Sequence, residues 1–240
     1  MNINMNITKY LILLSLLVIG ICFYCHIHNL KKTINTIEIF QTIRPSVNKI
    51  QDIVVKKSPT VFKDVLYDWE PIVNIFDKSL EEINKMKETD SQFHKDLLDC
   101  FNSYSLFGSL GWEYYFFEKE KGFTDNHFTL QKQHRHIICQ VLGVQRIYLA
   151  SPNQSKFIKS HQLKNSNNSY LKKNDTKSIV NFWNEDETRN PPFCNLEFIE
   201  IILREGNILY IPYGWWFLQQ FEEDSLVLEG FNISVVSVFC

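Results

Sequence analysis

Short apolar runs, each bounded by turn-forming residues, recur through the second half of the chain. Residues 208–211 form the clearest of these runs: Gly206 lies in the turn before it, and Pro212 and Gly214 end it. Apolar and aromatic runs of this length between glycine and proline are typical of strands. The stretch 203–217 therefore predicts a strand, a tight turn and a second short strand.

Two further stretches predict pairs of strands. Residues 137–142 and 147–149 are largely apolar on either side of Gly143, which indicates a hairpin with its turn at that glycine. Residues 225–238 predict a second hairpin, made of two apolar strands around residues 229–230. These patterns together predict a mainly β domain.

The pattern differs in four other segments. Residues 72–98 place apolar side chains every three to four positions, which predicts one amphipathic helix or two short ones. Residues 101–117 are aromatic and contain glycines, which favours two strands that pack in a sheet around a turn. Residues 151–174 are too polar to form a core and predict a long excursion, and 180–192 are interpreted as a solvated acidic linker.

The N-terminal region holds an uncharged apolar run. It occupies residues 10–25 and extends to residue 27, near the lower limit for crossing a bilayer. We expect an uncleaved membrane anchor; a cleaved signal peptide and a buried helix of a soluble protein are the alternatives. Lys31, Lys32 and Arg44 follow the run and favour a single-pass protein whose C-terminal domain is cytosolic.

Composition narrows the partners and excludes some scaffolds. The apolar content of 45% can form a sizeable core, and the formal net charge of −2 gives no electrostatic case for nucleic-acid binding. Six cysteines are present, without a CxxC pair in the part of the chain after the apolar run. A zinc ribbon or a disulfide scaffold is therefore not expected.

Three segments resemble signature blocks of one family. Residues 57–71 read KSPTVFKDVLYDWEP, residues 140–152 read QVLGVQRIYLASP, and residues 203–217 read LREGNILYIPYGWWF. In this order they resemble the JmjC and cupin-like (cupin_8) domains of the Fe(II)/2-oxoglutarate oxygenase superfamily. The resemblance implies a double-stranded β-helix, or jelly roll, preceded by N-terminal helices and the transmembrane helix. The scaffold positions that match are Gln140, Gly143, Pro152, Gly206, Tyr210, Pro212, Trp215 and Trp216.

The resemblance also implies where iron should bind. The family places a His-x-Asp pair ten and eight residues before Gln140, and a closing His at the end of the block 203–217. Those three positions hold Leu130, Lys132 and Phe217 here. A 2-His-1-carboxylate triad needs three donor groups, so the metal site is expected to be degenerate. Leu130 and Phe217 are expected to fill the emptied pocket with apolar side chains.

The 2-oxoglutarate position is altered in the same way. In many family members a lysine pairs with the co-substrate's carboxylate, and its position holds Gln145 here. A glutamine lacks the charge that would hold a dicarboxylate. Arg146 is adjacent, but neighbours on a strand point to opposite faces.

A rewired metal site is the alternative. His134 and His136 are two residues apart on a predicted strand, so they share a face and are candidate ligands. A third ligand would still be needed, and the family's usual donor position holds Phe217. Hydrogen-bonded or surface histidines are the competing interpretation.

These observations give a domain plan and a functional hypothesis. Residues 1–28 are the membrane anchor, 29–56 a linker and 57–240 the JmjC/cupin-like domain. We expect a protein that has lost iron and 2-oxoglutarate, uses no cofactor and acts as a non-catalytic binding or structural module. It would contact the membrane through residues 10–27 and bind a protein partner. The alternative is an active 2-oxoglutarate-dependent protein hydroxylase or demethylase-type oxygenase with displaced ligands, for which Fe(II) and 2-oxoglutarate would be the cofactors.

Overall fold

A computed structural model describes most of the C-terminal half of the chain and parts of the N-terminal half. The described residues are 2–31, 38–46, 49–50, 52–53, 57–68, 112–133, 135–158, 160–162, 176–189 and 193–232. Residues 72–98, where an amphipathic helix was expected, lie outside them, as do residues 163–174 of the excursion expected over 151–174. Residues 101–111 of the aromatic stretch, the closing residues 233–238 and His134 also lie outside them.

The N-terminal apolar run is helical. Helix α1 extends over Asn2–Lys31, 30 residues, and its apolar side chains are exposed, with Leu13 at 67% and Leu17 at 59%. Within the described ranges, no helix meets the combined length and apolarity that a bilayer crossing demands.

Twelve strands are described, and they form two six-stranded sheets. Sheet A has the order β1-β2-β10-β5-β12-β3, and its pairs are antiparallel except for the parallel pair of β1 and β2. Its strands are β1 (Phe40–Ile43), β2 (Thr60–Lys63), β3 (Trp112–Lys119), β5 (Arg135–Leu142), β10 (Ile208–Pro212) and β12 (Ser225–Asn232). Strand β1 falls in the segment 29–56 that the sequence assigned to a linker.

Sheet B has the order β7-β8-β4-β11-β6-β9 and is antiparallel throughout the described residues. Its strands are β4 (Thr129–Leu130), β6 (Val144–Ala150), β7 (Ser160–Gln162), β8 (Thr176–Ser178), β9 (Ile199–Arg204) and β11 (Trp216–Phe221). A mainly β fold of two facing sheets agrees with the expected jelly roll.

From β3 to β6, and again from β9 to β12, each described strand lies in the other sheet from the strand before it. Strands β5 and β6 flank Gly143 but do not pair: β5 pairs with β10 and β12, and β6 pairs with β9 and β11. The predicted hairpin at Gly143 is therefore wrong, because this turn is a corner between the sheets. The hairpin expected around residues 229–230 is also wrong, since β12 continues through both residues without a turn.

Each side of sheet B has its own apolar cluster. The interior core lies between the two sheets and draws on both of them. Its buried members are Val61, Ile138, Ile147, Leu149, Ile201, Leu203, Leu209, Ile211, Trp215, Phe221 and Val227. An outer cluster lies on the other face of sheet B. Its buried members are Phe128, Tyr148, Ala150, Ile158, Phe193, Trp216 and Leu218.

Segments between β6 and β9 contribute to this outer cluster. Ile158 and Phe193 are among its buried residues, and Val180 and Phe182 pack against it. Short helical turns occur at Leu66–Asp68, Pro152–Lys156 and Phe193–Asn195, and helix α2 covers Glu185–Thr188. The segment 180–192 was interpreted as a solvated linker; its described part instead supplies apolar side chains to the domain.

Candidate functional site

Strand β11 divides its side chains between the two clusters. Phe217 packs against the interior core, with Phe221, and Trp216 and Leu218 belong to the outer cluster. This division follows from the two-residue period of a strand. The adjacent Trp215 and Trp216 are therefore both buried, at 0% and 2% exposure, in different clusters. Both scaffold positions of the resemblance are therefore packed within the domain.

Leu130 and Phe217 lie on neighbouring strands but on different faces. In the pairing of β4 with β11, Leu130 is opposite Trp216, and Thr129 is opposite Phe217. Leu130 accordingly packs against the outer cluster, whereas Phe217 packs against the interior core. The two side chains do not share the apolar pocket expected from the sequence. A shift of one residue in a strand exchanges its faces, which a count along the sequence does not detect.

Lys132 follows the short strand β4 and is half-buried. The backbone beside it is fixed by two hydrogen bonds: Gln131 N–H donates to the Trp215 carbonyl, and Gly214 N–H donates to the Gln131 carbonyl, both at 2.8 Å. The chain at the expected carboxylate position is thus bound to the turn before β11.

Gln145 points into the interior. It is fully buried on β6 and lies two residues before Ile147 of the interior core, opposite Leu203 and Phe221. Arg146 is half-exposed on the other face, where it forms ion pairs with Glu200 and Glu222. Neither side-chain amide atom of Gln145 has a hydrogen-bond partner among the described residues.

A chain of polar side chains crosses the interior near Phe217. His136 Nε2–H donates to Glu229 Oε2 at 3.2 Å, and Gln219 Nε2–H donates to Glu229 Oε1 at 3.0 Å. The His136 ring stacks on Phe231 with centroids 4.4 Å apart and meets Phe217 edge-on at 5.2 Å. His136 thus makes hydrogen-bonded and aromatic contacts inside the fold, and its Nδ1 has no described partner.

The pKa values of Glu229 and Asp125 are shifted in opposite directions. Burial alone would raise the pKa of Glu229, but the hydrogen bond and charge of His136, together with the Gln219 amide, outweigh it and lower that pKa. Burial raises the pKa of Asp125 above its ordinary value, against the opposing charge of Lys177. The Asp125 carboxylate accepts a hydrogen bond from Gln219 N–H at 3.3 Å.

Glu229, Gln219 and Asp125 were not among the residues that the sequence predicted for the site. Glu229 carried a usable signal, since it is the one charged residue within the apolar run 225–231. An acid on a buried strand needs a partner, and His136 was already a candidate. No such signal marked Gln219 or Asp125, because the contact with Asp125 depends on pairing between distant segments.

The residues at the three positions that the resemblance implies for iron do not make up a 2-His-1-carboxylate triad. Leucine and phenylalanine have no donor atom, and the positive Lys132 stands where the family has a carboxylate. Among the described residues, no group of three or more His, Cys, Asp or Glu side chains is arranged to hold a metal ion. His134, the other candidate ligand, is outside those residues.

Comparison with known proteins identifies the family. The model of the cupin-like domain matches residues 92–237, more than half of the chain. A JmjC domain-containing protein D from Dictyostelium discoideum is 38% identical over 81 residues, 34% of this chain and 16% of that protein. The lysine-specific demethylase JMJ30 from Arabidopsis thaliana is 51% identical over 39 residues, 16% of this chain and 9% of that protein.

The matched segments are short parts of both relatives, so the chain spans less than a fifth of either one's length. Among solved structures, the WlaRB TDP-quinovose 3,4-ketoisomerase from Campylobacter jejuni is 10% identical with a TM-score of 0.30. The match covers 51% of this chain and 63% of that one. The family-model match, together with the JmjC-named relatives, identifies the chain as a member of the cupin-like domain family, related to JmjC proteins.

Proposed function

We propose that this protein is a non-catalytic member of its family, a binding or structural module that has lost iron and 2-oxoglutarate. The observation that carries the proposal is the position of Phe217. Its side chain packs against the interior core and against the His136 ring, where the family resemblance expects an imidazole ligand. An apolar residue there contributes to core stability and provides no electron pair for a metal.

The co-substrate position supports the same proposal. Gln145 is fully buried beside interior-core residues and carries no charge. A dicarboxylate brought to this position would lose its hydration without gaining an ion pair, and an unpaired buried charge is strongly unfavourable. The interior is thus suited to packing, while the surface remains available for partners.

The names of the relatives suggest the opposing hypothesis. One is called a lysine-specific demethylase, and the match to it covers 16% of this chain. An active oxygenase would need three donors from residues other than Leu130, Lys132 and Phe217. His136 is the described candidate, and its Nε2 is already committed to Glu229.

The proposal is tested by measuring iron binding and 2-oxoglutarate turnover with the purified full chain in detergent micelles. We expect iron well below one equivalent after incubation with Fe(II) under nitrogen, and no 2-oxoglutarate-dependent succinate release with ascorbate and oxygen. The variant Phe217→His should behave in the same way, because one restored imidazole does not complete a triad. Stoichiometric iron, or succinate formation that depends on His136, would establish the oxygenase instead.

We further propose that helix α1 attaches the domain to a membrane, with the domain on the cytosolic side. The support is the uncharged run 10–25 and the exposure of its apolar side chains, such as Leu11 at 61% and Ile19 at 63%. Burying such surface in lipid is favourable by about 25 cal/mol per Å². Carbonate extraction of membranes should leave the chain in the pellet, and protease added outside intact cells should not cleave it. Release of the intact chain by carbonate would contradict the anchor.

A further inference from the structure

The outer face of sheet B carries a group of aromatic rings that is open to solvent. Trp183 is 38% exposed and Phe198 is 41% exposed, and both flank the half-buried Phe182. Tyr148 lies beneath them at 7% exposure and closes the group on the sheet side. We call these four residues the aromatic patch.

The rings of the aromatic patch support one another by edge-to-face packing. Phe182 meets Trp183 with centroids 4.9 Å apart and Phe198 at 5.4 Å, both nearly perpendicular. Tyr148 meets Trp183 at 5.8 Å and Phe198 at 5.7 Å in the same geometry. Each contact of this kind contributes about 0.5–1.5 kcal/mol beyond area burial, so the ring positions are defined.

A hydrogen bond also fixes the exposed indole. Trp183 Nε1–H donates to the Asp125 carbonyl at 2.7 Å, which ties the loop before α2 to the segment before β4. The backbone N–H of Trp183 donates to Asn181 Oδ1 at 3.0 Å. A large apolar side chain that is partly exposed yet held at both ends is a preorganised contact surface.

The surroundings of the aromatic patch are acidic. The two segments that carry its exposed rings and strand β9, 179–189 and 196–204, contain five acidic residues and two basic residues, a formal charge of −3. Arg189 forms an ion pair with Glu185, and Glu200 is paired with Arg146 of β6. The acidic residues are Glu185, Asp186, Glu187, Glu197 and Glu200. All five are exposed.

Strand β9 extends the same surface along the sheet edge. It pairs with β6 and is the last strand of sheet B in the described part of the chain. Alternation along β9 puts Glu200, Ile202 and Arg204 on one side, all exposed, with Ile202 at 43%, and the exposed Phe198 directly precedes the strand. Apolar and charged side chains therefore alternate along an edge beside the aromatic patch.

We propose that the aromatic patch and the outward side of β9 form a docking site for an extended basic peptide segment of another protein. Arginine or lysine side chains of the partner would stack on Trp183 and Phe198 and pair with the surrounding carboxylates. Guanidinium and ammonium groups are attracted to the face of an indole, and the surplus negative charge favours their approach. The site is on the outside of the fold, so the proposal holds whether or not the interior binds iron.

Fluorescence anisotropy with the full chain in neutral detergent tests the proposal. The probe is a labelled ten-residue peptide of alternating arginine and serine, with alternating glutamate and serine as the comparison. We expect the basic peptide to bind, with an affinity that falls as salt is raised, and the acidic peptide not to bind. Equal binding of both peptides, or binding of neither, would overturn the proposal.

Variants locate the binding on the surface. Trp183→Leu should weaken the basic peptide about fivefold, as expected for loss of one exposed cation–π contact. Trp183→Phe keeps an aromatic face and should retain most of the affinity, with an unfolding midpoint close to that of Trp183→Leu. The paired change Asp186→Asn and Glu197→Gln should weaken binding and flatten its salt dependence. Phe40→Ala is the matched control, since Phe40 is 49% exposed on β1 of the other sheet.

Two results would refute this assignment. If Trp183→Leu and Phe40→Ala bind the peptide equally well, the surface is not the site. The chain's own Lys172 and Lys173 are a competing occupant, close in sequence to the aromatic patch. If replacing both with serine raises peptide affinity more than fivefold, the surface is filled by this chain rather than by a partner.

Discussion

His136 combines three interactions inside the domain. Its ring lies between Phe231, which stacks on it, and the edge of Phe217, and its Nε2–H is bonded to Glu229. The side chain of His136 is fully buried and that of Glu229 is 13% exposed. A buried carboxylate is tolerated only with such partners, so this histidine offsets the desolvation of Glu229.

Removing this partner should be costly. We expect His136→Leu to lower the free energy of unfolding by about 3 kcal/mol, because Glu229 then stays buried without its partner. Adding Glu229→Gln to that variant should recover part of the loss, because the amide carries no charge. Denaturant unfolding of the two single variants and the double variant gives the coupling energy. Effects that add to within about 0.5 kcal/mol would mean that the pair is not coupled.

The sequence predicted the positions of some single residues better than those of others. The faces of Gln145 and Arg146 followed from strand alternation, and the structure confirms them. Leu130 was expected beside Phe217, and the register of β4 on β11 puts it against the outer cluster instead. That register is set by pairing across 86 positions of sequence, between Leu130 and Trp216, so no local pattern contains it.

Elements were easier to predict than their pairing. The strands around Gly143 and before Pro212 lie where the apolar runs indicated. Their assignment to opposite sheets was missed, because a tight turn with apolar flanks is compatible with a hairpin or with a corner. Gly143 shows why a corner forms: its φ is +79°, and it lies against the backbone of Asp224 in the next corner of the fold.

Two glycines allow the cost of this close approach to be measured. Gly143 and Gly122 have similar φ values, +79° and +85°, so alanine is strained at both by about 1–2 kcal/mol. A Cβ at Gly143 would also overlap the Asp224 carbonyl oxygen, whereas one at Gly122 has nothing within 4 Å. We expect Gly143→Ala to be the more destabilising, by at least about 1 kcal/mol, in thermal or denaturant unfolding. Equal losses of stability in the two variants would mean that the corner at Gly143 accommodates a Cβ without an additional cost in free energy.

At the scale of the whole molecule, the interior carboxylates make stability depend on pH in two opposite ways. The pKa of Glu229 is lowered by folding, so its contribution is present above the unfolded-state pKa and is lost as pH falls through the folded one. The pKa of Asp125 is raised by folding, so its contribution is present at low pH and is lost as pH rises. Glu229 thus favours the folded state at neutral pH, and Asp125 opposes it.

The variant Asp125→Asn measures the contribution of Asp125 to the pH dependence of stability. The amide keeps an oxygen that can accept from Gln219 N–H and removes the buried charge. We expect the variant to be more stable than the natural chain by about 1 kcal/mol at pH 7, with the difference shrinking toward pH 4. Unfolding midpoints from pH 4 to 8 measure it, and Asp186→Asn, an exposed acid on α2, is the control. A pH-independent difference would contradict this assignment.

The short connection between α1 and the edge strand β1 limits how far the domain can lie from the helix. Helix α1 ends at Lys31 and β1 begins at Phe40, so nine Cα–Cα steps join the helix to the edge of sheet A. A chain of that length reaches at most about 30 Å when fully extended. The connection between α1 and β1 is therefore short. If α1 is held at a membrane, as proposed above, β1 stays within about one domain diameter of that membrane, and a partner of the domain would bind close to it.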